Sequence, residues 1–118
     1  MELNEYQAIA KTTALYPKEA AIIYPALGLT GEAGEVAEKV KKMIRDDGGE
    51  MTAERRELLK KELGDVLWYI SAIATDLDLT LEEIAQHNAN KLRSRMEQNL
   101  LQGDGDTREE LAPPLATA

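Results

Sequence analysis

The chain has 118 residues, 43% hydrophobic and 31% charged, which suits one globular domain and excludes a chain disordered throughout. Its 14 Lys and Arg against 22 Asp and Glu leave a net charge of −8, which repels a nucleic acid backbone and argues against a polymer-binding role. With no Cys and one His, thiolate chemistry and His-rich metal sites are excluded; without a basic leader or an apolar run of membrane length, a cytoplasmic location is expected.

A first helix is predicted over about Asn4 to Leu15, where Tyr6, Ile9, Ala10 and Thr13 recur at helical spacing before Pro17. Residues 16–24 read as a connector or irregular helix, with Pro25 suited to the first position of the helix that follows. From Ala26 to Arg45, an apolar stripe of Leu29, Ala33, Val36, Val40 and Met43 predicts a second main helix, ended by the turn Asp46-Asp47-Gly48-Gly49. Thr52 is expected to cap a helix from Ala53 to about Asp78, whose stripe is Leu59, Leu63, Val66, Ile70, Ile73 and Leu77. Thr80-Leu81-Glu82-Glu83 opens a last main helix carrying Ile84, Asn88, Lys91 and Arg95. Past Leu101, Gly103-Asp104-Gly105-Asp106 reads as a loop and residues 112–118 as a flexible tail, which leaves a single domain over residues 1–111.

The pattern predicts an all-α fold, an antiparallel bundle of about four main helices with aliphatic side chains filling a core that has no Phe. Helices this long on so short a chain also point to a homo-oligomer, a homodimer or homotetramer.

Glu32 and Glu35 are three residues apart, and Glu62 and Asp65 repeat the spacing on another predicted helix. Two facing helices can therefore aim four carboxylates at one point. Each pair borders its apolar stripe, and acids crowded there repel one another unless a cation stands between them. Hard oxygen donors without His or Cys suit Mg²⁺, with Mn²⁺ as a substitute. On spacing alone, the simpler reading is ordinary exposed acids balanced by Lys39, Lys42, Lys60 and Lys61. Glycines inside both helices weigh against it: Gly31 and Gly34 flank Glu32, and Gly64 lies between Glu62 and Asp65, although each costs about 1 kcal/mol against Ala. Such placement suggests close helix approach or ligand access.

The run from Leu27 to Lys39, with Gly31-Glu32-Ala33-Gly34-Glu35 at its centre, and the run Lys61-Glu62-Leu63-Gly64-Asp65-Val66-Leu67-Trp68-Tyr69 resemble the all-α nucleoside triphosphate pyrophosphohydrolases of the MazG type. That family's motif is Glu-Glu-x-x-Glu followed, after a spacer, by Glu-x-x-Asp; here Gly31 replaces the first Glu. The resemblance continues through residues 88–95 and 103–108, similar to the short, phage-like branch, and covers all but the final tail.

The resemblance implies Mg²⁺-dependent hydrolysis of nucleoside triphosphates to monophosphate and pyrophosphate, in the service of nucleotide-pool control. Glu32, Glu35, Glu62 and Asp65 would be the metal ligands and catalytic groups, with Glu35 or Glu38 as candidate proton acceptor. Lys91, Arg95 and Asn88, on one face of the last helix, would grip phosphates, the simpler reading being a solvated basic helix end; Arg108 would add a contact from its loop, and Trp68 or Tyr69 would meet the base, with core packing or a subunit interface the alternative for Trp68. His87 is expected at the surface or an interface. The competing class is a non-catalytic helical oligomer that binds nucleotide or a protein partner.

Overall fold

The computed structural model describes residues 1–98. Among the described residues there are four α-helices and no strand: α1 over Leu3–Lys11, α2 over Ile23–Asp46, α3 over Ala53–Asp76 and α4 over Leu81–Glu97, with a 3-10 turn at Lys18–Ala20. No described helix is long and apolar enough to cross a membrane. Residues Met1–Leu81 form one compact unit, and a second begins at Glu82. The loop Gly103–Asp106, Arg108 and the tail 112–118 lie outside the described residues.

The first unit is built on an α2–α3 hairpin. Contacts fall at descending positions on α2 and ascending positions on α3: Asp47 with Arg55, Lys39 with Glu62, and Tyr24 with Tyr69. The two rods are therefore antiparallel. The Thr52 hydroxyl accepts from Arg55 N–H at 3.0 Å, the expected cap. At the other end, Asp78 takes a left-handed φ of 57°, and Leu79 N–H bonds the Ala74 carbonyl at 2.8 Å while Asp78 N–H bonds Thr75 at 3.1 Å. This is the double reverse bond that closes many helices, with Asp in the place where Gly is commoner.

Two boundaries differ from expectation. α1 stops at Lys11 rather than near Leu15, because the Thr12 and Thr13 hydroxyls turn back to the Ile9 and Ala10 carbonyls at 2.6 and 2.8 Å. α2 starts at Ile23, so Pro25 is its third residue, still inside the first turn where a missing N–H costs no helix bond. Pro25 is also buried.

α1 docks on α3 through Gln7. Its amide donates to Thr75 Oγ1 at 3.0 Å and to the Leu79 carbonyl at 2.9 Å, while its oxygen accepts from Leu81 N–H at 2.8 Å. One side chain thus satisfies the backbone of the α3 exit. The buried set here is small-residue rich, with Ala10, Ala72, Ala74, Ser71 and Leu81, whereas large aliphatics stay open: Leu27 is 70% and Leu63 57% exposed.

Candidate active site

Helix geometry places Glu32 and Glu35 on α2 and Glu62 and Asp65 on α3, and the antiparallel register brings the pairs opposite one another. Carboxylate oxygens of Glu32, Glu62 and Asp65 all lie within 4.8 Å of one another. Glu35 joins through a cation: Lys39 Nζ sits 3.6 Å from Glu35 Oε2 and 3.3 Å from Glu62 Oε1. Of the lysines expected to neutralise these acids, Lys42 instead pairs with Glu38 and Lys60 with Glu57.

The electrostatics follow from the crowding. Partial burial, a hydrogen bond with Glu62 and the charges of Asp65, Glu62 and Glu35 together hold the Glu32 carboxyl above the ordinary carboxylate range. Carboxylates crowded this closely suit a divalent cation, and their oxygen-only donor set fits Mg²⁺ or Mn²⁺. Glu38 stands apart from this cluster: its hydrogen bond to Lys41, at 2.9 Å, holds its carboxyl below the ordinary range. It is a weak base bound to its own helix.

Beside the acids opens a cavity of about 370 Å³ lined by Thr13, Glu32, Asp65, Trp68 and Tyr69. Its volume is at the lower end of small-ligand sites, ~300–1,000 Å³. Trp68 Nε1–H donates to Thr13 Oγ1 at 2.8 Å, and the Thr13 hydroxyl donates to the Ala10 carbonyl at 2.8 Å, so the indole is fixed against the end of α1. Trp68 meets Tyr69 edge-on at 5.0 Å between ring centroids. Burial, followed by the nearby Tyr24 and Glu32, raises the Tyr69 phenol, which keeps it neutral. One wall is therefore acidic and the other aromatic.

The glycines act differently from one another. A Cβ on Gly28 would run into the Tyr69 ring, so this position admits the ring against α2. Nothing lies within 4 Å of a Cβ placed at Gly31, Gly34 or Gly64, so these three leave open space beside the acids and do not mark close helix approach.

On α4, Asn88 is exposed, Lys91 half-buried and Arg95 buried, and a seven-residue span aligns the three along one helical stripe. His87 is exposed. Sequence reasoning passed over Thr13 and Lys39 as site residues. The i,i+4 spacing of Glu35 and Lys39 was a visible signal for the second, whereas the Thr13–Trp68 bond spans 55 residues and had none.

A family model, the MazG nucleotide pyrophosphohydrolase domain, matches residues 25–100. The gene 37 protein of Mycobacterium phage L5 is 45% identical over 114 residues, spanning 92% of this chain and 100% of that protein. No solved structure matches the chain.

Proposed function

The chain belongs to the MazG nucleotide pyrophosphohydrolase family, and from that premise we propose that it hydrolyses ribo- or deoxyribonucleoside triphosphates to the monophosphate and pyrophosphate in a Mg²⁺-dependent reaction. The observation that carries this reading is the meeting of Glu32, Glu62 and Asp65 oxygens within 4.8 Å beside an aromatic-walled cavity.

Glu32, Glu62 and Asp65, with Glu35 completing the set, would hold the metal. When bound, Mg²⁺ neutralises triphosphate charge, polarises the α-phosphoryl group and acidifies the attacking water. Glu35 accepts the water's proton: its side chain is 52% exposed and its partner Lys39 is 3.6 Å away, whereas Glu38 is engaged by Lys41 and Lys42. The Trp68 and Tyr69 faces take the base, since stacking tolerates any π-system and places no demand on the acidic wall. Asn88, Lys91, Arg95 and Arg108 bind the β- and γ-phosphates, which the carboxylates by themselves would repel.

The protein acts as a homodimer or homotetramer in the cytoplasm, on the nucleotide pool. Exposed Leu27, Leu63, Ile44 and Leu67 support the assembly, because monomers seldom leave so many large aliphatics open on a helical hairpin.

Purified protein supplied with Mg²⁺ and a panel of common nucleoside triphosphates is expected to release pyrophosphate and monophosphate in equal amounts, and to stop on chelation. Release of inorganic phosphate with the diphosphate, or no turnover of any triphosphate, would overturn the reading.

A further inference from the structure

Lys39 differs from the lysines around it. Lys41 and Lys42 both pair with Glu38 on their own helix, and Lys41 is 62% exposed; Lys39 is only 17% exposed and reaches across from α2 to Glu62 on α3. Long cationic side chains usually keep the charged head in water. Here the ammonium is drawn in between Glu35 and Glu62, at the edge of the three-carboxylate cluster. It contributes one positive charge between Glu35 and the three gathered carboxylates.

We infer that Lys39 is the resident counter-ion of the carboxylate site: it ties α2 to α3 while no divalent cation is bound, and it sets how much divalent cation is needed to load the site. The inference rests on the reading that these carboxylates hold a metal. Two effects of Lys39 on metal binding oppose one another. Its charge repels an incoming cation and occupies a Glu62 oxygen, which weakens binding; by orienting Glu35 and Glu62 it also pre-forms the site, which strengthens binding. Outer partners that orient ligands are worth about 10- to 100-fold in metal affinity. Glu32, Glu62 and Asp65 are already gathered by the helix register, so the orienting effect adds little, and the charge effect prevails.

The test uses the full chain stripped of metal, with Mn²⁺ alone as probe, free Mn²⁺ being read by electron paramagnetic resonance. Lys39→Gln and Lys39→Met are expected to bind Mn²⁺ about tenfold more tightly than wild type at low salt, with the gap shrinking as ionic strength rises. Lys39→Arg, which keeps the charge, should stay near wild type. The metal-free Gln and Met variants should melt at a lower temperature than wild type and gain more from added Mn²⁺. Unchanged or weaker Mn²⁺ binding by Lys39→Gln, with helix content retained by circular dichroism, overturns the inference while leaving the metal site intact. Absence of Mn²⁺ binding by the wild-type protein at millimolar concentration overturns the metal reading itself, and this inference with it.

Discussion

Two acidic places on the same hairpin have opposite surroundings. At the end of α3, Asp76 Oδ2 accepts from the Tyr16 hydroxyl at 2.7 Å and from Ile22 N–H at 2.8 Å. The bond to Ile22 holds a residue with φ of 69° and ψ of −51°, the centre of a tight turn closed by Ile23 N–H on the Ala21 carbonyl at 2.7 Å, a positive-φ conformation costly for a β-branched side chain, and so fixes the chain where it enters α2. Tyr16 in turn stacks on Tyr24 at 5.0 Å. In the middle of the hairpin, Glu32, Glu62 and Asp65 lie close to one another, and Lys39 is bonded into the group through Glu62. A carboxylate supplied with protein donors serves the fold, whereas carboxylates supplied with each other call for a ligand.

Neutralising one acid at each place separates the two roles. Asp65→Asn is expected to cut pyrophosphate release on the order of 10³-fold, the equivalent of several kcal/mol of transition-state stabilisation. It should also leave the metal-free melting temperature unchanged or raised, since a repelling charge is gone. Asp76→Ala should do the reverse: a loss of about 1–3 kcal/mol in urea unfolding, from stranded Tyr16 and Ile22 donors, with turnover reduced far less. If both variants lose stability and activity together, the distinction between the two places fails.

The glycines sharpen the same contrast at smaller cost. Gly28→Ala is expected to destabilise by about 1–3 kcal/mol, because the Tyr69 ring must shift and the helix-propensity gain of about 1 kcal/mol offsets only part of that. Gly64→Ala, with open space around it, should stabilise an isolated chain by up to about 1 kcal/mol. Should Gly64→Ala instead destabilise, and light scattering show a dissociated assembly, the open face is the one a second subunit covers.

What could be read in advance follows from how local its cause is. The Thr52 cap and the long α2 and α3 helices depend on residues within a turn or two and stand close to where the periodicity placed them, but the stripes are only partly covered, since Ala33, Val40, Leu63 and Leu77 are exposed. The paired acids were legible for the same reason, since three-residue spacing fixes a shared face. The early end of α1 was not, because the Thr12 and Thr13 hydroxyls compete with the helix for carbonyls that a periodic pattern assigns to it. The role of Asp76 had no local signal, because its partners Tyr16 and Ile22 stand 60 and 54 residues away. Glycine meaning was also tertiary: the residue that admits a ring is Gly28, which no motif singled out for that purpose.

The smallest effect tests the crowding itself, through pH. Glu32 is held above the ordinary carboxylate value of 4.5, chiefly by burial and by its bond to Glu62, so the metal-free folded chain binds that proton more tightly than the unfolded chain does. The sign follows: this contribution is favourable in acid and is lost as pH climbs from about 4.5 through the raised value. Glu38 and Asp46, whose carboxyls are held below the ordinary range mainly by Lys41 and Arg45, act in the opposite direction, losing stability as pH falls. Subtracting the melting curve of Glu32→Gln from that of wild type removes their part. The metal-free difference should turn against wild type as pH rises, and saturating Mg²⁺ should reverse it, because a divalent cation favours the ionised carboxylate. A difference that stays flat with pH in metal-free protein would mean that Glu32 does not feel Glu62 and Asp65 at the distances that make the cluster a site.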